Sequence, residues 1–374
     1  IAVDHPAGTE LVVDERFSPA SKGPTMYLVE PPRRLAAARN SSGEDVSDVV
    51  SKVDGQYLHD FELGDYQGLA ADHWVECELS ADFASARGPL LLLATGWTHP
   101  TDSSINFALE QGHRERPRDL SLEIPDGHGG WKVASEHLGF PAGKNKTMAI
   151  RLDGLGGEGG IPQRFRLRTN MEIYWDALQI AHVRPDITPK STKLLAETAE
   201  LDYRGIVEMT QANRSSPELP NYDRVVSRGQ VWRDLVGYHT RFGDVRELLE
   251  QIDDRYAMLS AGDEIALRFK APAGPPTGWK RDFIWVSDGW VKDGDFNTRF
   301  GGTVLPLPSH NMTSYEMPPD KLEDDPVYKK HPLDWQDYHT RYVTPEFFER
   351  GLRGRVERNS FRSRRAEFIP LKNL

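Results

Sequence analysis

The residues best placed by type and spacing to do chemistry lie in FIWVSDGWVKDGDFNT (283–298): Asp288, Asp293, Asp295 and Asn297. Asp293, Asp295 and Asn297 fall at alternate positions, and closely spaced carboxylate and amide oxygens are what a hard cation such as calcium requires. An EF-hand is not formed, because counting from Asp293 puts Thr298 where a Gly and Val304 where a Glu would stand. An earlier stretch, LLLLATGWTHPTDSSIN (90–106), repeats the layout of apolar run, Gly-Trp and polar loop. It offers only Asp102 and Asn106, with Thr98, His99, Ser103 and Ser104 around them. A cation site inherited by both copies would therefore be largely lost from the first. The plainer account is a polar turn at the rim of a β-sandwich, with Trp97 and Trp290 covering the end of the core.

A second constellation is the near-identical pair YHTRF (238–242) and YHTRY (338–342). Strand alternation puts His239 and Arg241 on one face of the first, and His339 and Arg341 on one face of the second. Two such His-Arg pairs meeting in space could bind an anion or a carboxylate through charge-assisted bonds. The alternative is two half-buried strands whose histidines are satisfied internally. GLGGEG (154–159) formally satisfies GxGxxG, but Ile161-Pro162 and the strand-like RFRLR follow it where a helix N-terminus would have to cradle a pyrophosphate, so it is read as a hairpin loop. GxSxG, HExxH and P-loop patterns are absent. With 57 Asp plus Glu, a glycosidase-like carboxylate pair could only be assembled in space, and nothing singles one out. Trp131, Tyr174, Trp175, Trp279, Trp285 and Trp335 would offer stacking faces to a sugar wherever they are exposed.

The elements that must position these groups read mostly with a period of two. HWVECELS (73–80), TMAIRLD (147–153), RFRLRTN (164–170) and MEIYWDALQIAHV (171–183) have strand patterning, and Leu90 to Ala94 and Phe283 to Val286 are apolar on both faces, as in a strand buried between layers. The echo also extends upstream: DVVSKVDGQY (48–57) matches DVRELLEQIDDRY (244–256), and HWVECELS corresponds to DEIALRF (263–269). A duplicated module is the expectation. Only VRELLEQI (245–252), STKLLAETAE (191–200) and TPEFFERGL (344–352) suggest helices, the last with Thr344 as N-cap and Pro345 at the first helical position. Gly at 32 positions and Pro at 26 break the chain into short strands.

The 374 residues suffice for two or more cores. A net charge of −11 argues against nucleic acid as a partner. The longest apolar run falls far short of the ~20 residues of a membrane-spanning helix. Cys77 stands alone, so no internal disulfide or cysteine metal cluster is possible. Asn-x-Ser/Thr triplets begin at Asn40, Asn145, Asn213 and Asn311, and RGLRGRVERNSFRSRRAEF (350–368) is strongly basic against an acidic body.

The strings HPAGTE (5–10), GFPAGKNKTM (139–148), TNMEIYWD (169–176), DGWVKDGDFNT (288–298), TVLPLPSH (303–310) and DDPVYKKHPLDWQDYHTRYVTP (324–345) resemble the C-terminal region of large bacterial multidomain proteins. Those proteins carry FG-GAP/VCBS propeller repeats and an ASPIC/UnbV domain, often with tetratricopeptide repeats. The resemblance implies an extracytoplasmic setting, periplasmic or extracellular, and an upstream propeller missing from a chain that begins at Ile1. It implies no catalytic residues.

The expected fold is mainly β: two related, jelly-roll-like β-sandwich modules with a few short helices. Residues 1–25 would end an ASPIC/UnbV-like segment, 26–183 and 201–345 would form the modules with 184–200 as linker, and 346–374 a basic tail. The expected function is a non-catalytic interaction or ligand-binding region, for carbohydrate or protein, within a larger propeller-containing protein. His239, Arg241, His339, Arg341, Trp97 and Trp290 are the candidate ligand contacts. One alternative is a metal-dependent enzyme or accessory using calcium at Asp288, Asp293, Asp295 and Asn297. Another is a structural scaffold whose partners are other protein subunits.

Overall fold

The computed structural model describes residues 1–17, 22–84, 89–229, 234–292, 297–314 and 317–353. Among them strands predominate, with five short α-helices, so the mainly-β class expected from the period-two patterning is what forms. The chain divides into two compact units. Unit 1 comprises Ile1–Lys193, Gln211–Leu219 and Ala273–Val286, and unit 2 comprises Leu194–Thr210, Pro220–Pro272 and Ser287–Leu374. The units interleave along the sequence, where the sequence reading drew contiguous modules.

Unit 1 begins with β1 (Ala2–Pro6), the hairpin β2 (Glu10–Asp14) and β3 (Thr25–Val29), then β4 (Arg33–Arg34), β5 (Ala37–Asn40), β6 (Leu69–Glu78) and β7 (Leu90–Thr98). It continues with β8 (Ser121–Pro125), β9 (Trp131–Ser135), β10 (Gly143–Arg151), β11 (Arg164–Met171), β12 (Ile173–His182) and β13 (Lys190–Thr192). A four-stranded sheet runs in the order β10-β7-β12-β4 and a five-stranded sheet in the order β5-β6-β11-β8-β9. Leu90, Leu92 and Ala94 of β7 share one core cluster with Val75, Cys77, Leu122, Ile124, Phe165 and Leu167 of the five-stranded sheet. Leu91 and Leu93, on the opposite face, pack with Val12 and Val29 of the β2–β3 hairpin. This is why β7 opens with the unbroken apolar run Leu90 to Ala94: all nine of its residues are buried, and a strand covered on both sides has no solvent face on which to alternate.

Two details of the β7–β12 ladder are dictated by sequence. A Cβ on Gly96 would meet the Tyr174 carbonyl oxygen at 2.4 Å, so β12 approaches too closely there for any other residue. The register then shifts between Trp175 and Ala177. The extra residue, Asp176, is fully buried and accepts hydrogen bonds from the Asp54 and Gly55 amides, both at 3.0 Å, and from Asn145 Nδ2 at 2.7 Å. Three donors satisfy a carboxylate that would otherwise be costly to bury.

Unit 2 contains β14 (Ala196–Tyr203), β15 (Ile206–Thr210), β16 (Leu219–Ser227, its first residue still in unit 1), β17 (Gly237–His239), β18 (Gly243–Asp244) and β19 (Asp263–Phe269). The order β18-β14-β19 forms a three-stranded sheet over a small core of Ala199, Leu201, Val245 and Leu248. The chain then returns to unit 1 with β20 (Trp279–Phe283), which pairs antiparallel with β1, and re-enters unit 2, where β21 (Arg341–Val343) pairs with β17.

Three local expectations are corrected. STKLLAETAE is not helical: it runs through β13 into β14, where buried Ala199 and Leu201 alternate with exposed Glu200 against β19. VRELLEQI yields only a single 3₁₀ turn, Arg246–Leu249. Phe283 to Val286 is not a buried strand: the β1 ladder stops at Ala2↔Phe283, residues 284–292 have no regular structure, and Phe283 (65% exposed) and Trp285 (64%) face solvent. β7 lies inside a four-stranded sheet, whereas β20 borders a single strand, so the two Gly-Trp stretches occupy different structural positions despite their similar sequences. TPEFFERGL does form a helix, Pro345–Arg353, with the Phe347 amide bonded to Thr344 Oγ1. The basic tail beyond residue 353 lies outside the described residues.

Candidate functional site

The Gly-Trp loop of unit 2 gathers side chains from four separate stretches of chain. Asp254 follows the 3₁₀ turn, Asp288 and Trp290 stand in the irregular 284–292 segment, and His310 lies beyond it. Lys330 ends the helix Pro326–Lys330, which Asp325 caps by accepting from the Val327 amide. His310 is the centre. Its Nδ1 lies 3.1 Å from Asp254 Oδ1 and its Nε2 3.0 Å from Asp288 Oδ2, while its backbone amide donates to Asp254 Oδ1 at 3.0 Å. Lys330 Nζ donates to Asp254 Oδ2 at 2.9 Å.

The electrostatics follow from this geometry. Asp288 first, then Asp254, raises the His310 pKa above the ordinary imidazole value, because a carboxylate at each nitrogen favours the doubly protonated ring. Burial alone would push Asp254 up, but the His310 amide, the Lys330 ammonium and the His310 ring together hold it at about 2. Trp290 is 39% exposed. Its ring stands edge-on to His310 at 4.8 Å and 70°, and tilted against Tyr256 at 5.5 Å. Burial lowers the nearby Lys292 amine to about 8, and its Nζ donates to the Leu305 carbonyl at 2.6 Å. Asp288 Oδ1 and the Trp290 indole N–H make no hydrogen bond within the described residues.

Of the residues nominated for a cation, Asp288 is held by His310, Asn297 is exposed, and Asp293 and Asp295 lie outside the described residues. Among the described residues no group of three or more His, Cys, Asp or Glu could hold a metal ion. In the first Gly-Trp stretch, Asp102 is the N-cap of the helix Ser103–Gln111, accepting from the Ile105 amide at 2.7 Å. Trp97 is buried, stacked on Tyr174 at 4.8 Å and 10°, with its indole N–H donated to the Ser215 carbonyl. Tyr174 in turn donates to Glu172 at 2.6 Å. Trp97 thus closes the end of a core, and Trp290 is the exposed member of the pair.

The YHTRF and YHTRY segments do meet: β17 and β21 place Tyr238 opposite Tyr342 and His239 opposite Arg341. Both arginines are engaged internally. Arg341 holds Asp263 with two nitrogens and donates to the Thr240 carbonyl, and Arg241 donates to the carbonyls of Asp337 and Phe242. His239 and His339 are buried, and burial lowers each to about 4. Neutral rings and internally bonded guanidinium groups make this a tie between two strands.

Asp254, Tyr256, His310 and Lys330 were not singled out from sequence. Asp254 and Tyr256 share one short stretch, but His310 and Lys330 lie far along the chain from it, and no spacing rule joins the three places. The one local cue is Asp325-Pro326, an N-cap followed by Pro at the first helical position, which marks the start of the helix ending in Lys330. The chain matches no family model, no curated protein and no solved structure.

Proposed function

We propose that this chain is a non-catalytic saccharide-binding region and that Trp290 is its platform. The observation that carries the reading is an indole 39% exposed and set against an imidazole that two carboxylates hold in place. A pyranose ring has an apolar C–H face and a hydroxyl rim. An exposed indole suits the first, and the open Asp288 oxygen and indole N–H suit the second. Asp254 and Asp288 are matched by His310 and Lys330, so the site carries little net charge and favours a neutral sugar. A proton-transfer role fits less well, because a general acid or base needs a free position within hydrogen-bond reach of the substrate, and both ring nitrogens of His310 face carboxylates. The family resemblance extends the proposal to an extracytoplasmic setting beside a propeller domain.

The test is a calorimetric titration against a panel of neutral gluco-, manno- and galacto-oligosaccharides. Saturable binding by one class is expected, lost in Trp290→Ala and weakened roughly tenfold in Asp288→Asn, about the 1.4 kcal/mol of one charge-assisted hydrogen bond. Absence of binding across the panel, or unchanged binding in Trp290→Ala, would overturn the reading.

A further inference from the structure

The outer face of the five-stranded sheet in unit 1 carries a second constellation. With Val75, Cys77, Phe165 and Leu167 turned to the core, alternation turns Trp74, Glu76, Arg164, Arg166 and Arg168 outward, and cross-strand pairing adds Glu123, Val133 and Trp131. The Arg166 guanidinium lies 3.9 Å from the Trp131 ring centre and 4.6 Å from that of Trp74, gripped between two indoles. The carboxylates around it are hydrogen-bonded to other arginines: Glu76 to Arg164, and Asp72 and Glu123 to Arg168. Arg166 has only an Nε contact of 3.5 Å to Glu76, and neither terminal nitrogen makes a hydrogen bond within the described residues. A guanidinium covered on both faces is reached along its edge, where its parallel donors match a planar carboxylate. Exposed Val133 borders the same row.

We propose that this face binds the carboxylate of an acidic saccharide, with Arg166 presenting its terminal nitrogens to the carboxylate between Trp74 and Trp131. The site is separate from Trp290 and takes the opposite class of sugar. Calorimetric titration with a uronic-acid oligosaccharide, with the neutral oligosaccharide of the same backbone as control, tests it. Wild-type protein is expected to bind the acidic ligand at least tenfold more tightly than the neutral one. Arg166→Lys, which keeps the charge and loses the fork, is expected to lose at least tenfold. Because Arg166 also packs the sheet face, Val133→Glu is the second variant: it places a like charge beside the ligand, and the same loss is expected with an unchanged melting temperature. Trp290→Ala should leave acidic binding intact, which separates this site from the first. Equal affinity for the two ligands, no binding of the acidic one, or undiminished binding in folded Arg166→Lys and Val133→Glu would refute the proposal.

Discussion

His310 has two nitrogens and faces two carboxylates, and a neutral imidazole has only one N–H to give them. With the pKa raised by Asp288 and Asp254, the double clamp is complete below the ordinary imidazole value near 6.5 and is lost as pH rises through the raised value. Asp254 is the more buried carboxylate and holds two further donors, so Asp288 is the partner released. Trp290 fluorescence should therefore follow a single titration above pH 6.5 that moves to lower pH in Asp288→Asn, where Asp254 alone still raises His310; a flat profile in the wild type would count against the clamp. His239 and His339 run the other way. Burial depresses each to about 4, so their contribution is whole above pH 6.5 and shrinks as pH falls toward 4, because the unfolded chain takes up protons that the folded chain refuses. The loss is of order 3 kcal/mol per ring. Denaturant melts at pH 7 and pH 4.5 should differ accordingly, and His239→Gln should narrow the difference. At the same scale the four glycosylation triplets separate. Asn40 and Asn145 use their amide nitrogens inside the fold, bonded to Glu44 and Asp60 and to Asp176, whereas Asn213 and Asn311 are exposed. Peptide mass spectrometry after secretion from a glycosylating host should find glycan at the latter two sites only.

The two Gly-Trp dipeptides show how like sequence can serve unlike elements. Gly96 lies within β7, where the Tyr174 carbonyl leaves no room for a Cβ, while Gly289 has nothing within 4 Å of one. Gly96→Ala should therefore cost ~2 kcal/mol or more through displaced strands, and Gly289→Ala should stay within ~0.5 kcal/mol; equal effects would mean that the two stretches are equivalent after all. This contrast also explains what sequence reading could reach. β7 was legible because burial on both faces leaves an unbroken apolar run. Phe283 to Val286 carries the same signature and proves exposed, because composition cannot say whether neighbouring strands exist to cover it. STKLLAETAE was misread because Leu and Ala favour helix locally, while pairing with β19 imposes the strand. Trp290 and Asp288 were visible as a motif, but the Asp254–Lys330 contact beside them joins residues 76 positions apart, and no local pattern announces it.

At the scale of the whole molecule, the path of the chain matters more than the count of strands. It passes between the two units after Lys193, Thr210, Leu219, Pro272 and Val286. β1 finds its partner β20 some 277 residues away, with His5 Nε2 bonded to Asp282 at 2.7 Å. A cut after Lys193 would leave β1 without β20, and fragments ending there should be less stable than the intact chain, as proteolysis of purified fragments would reveal. Neither unit can be excised, duplicated or exchanged by a single recombination event without breaking the other, so in descent the two must be inherited together.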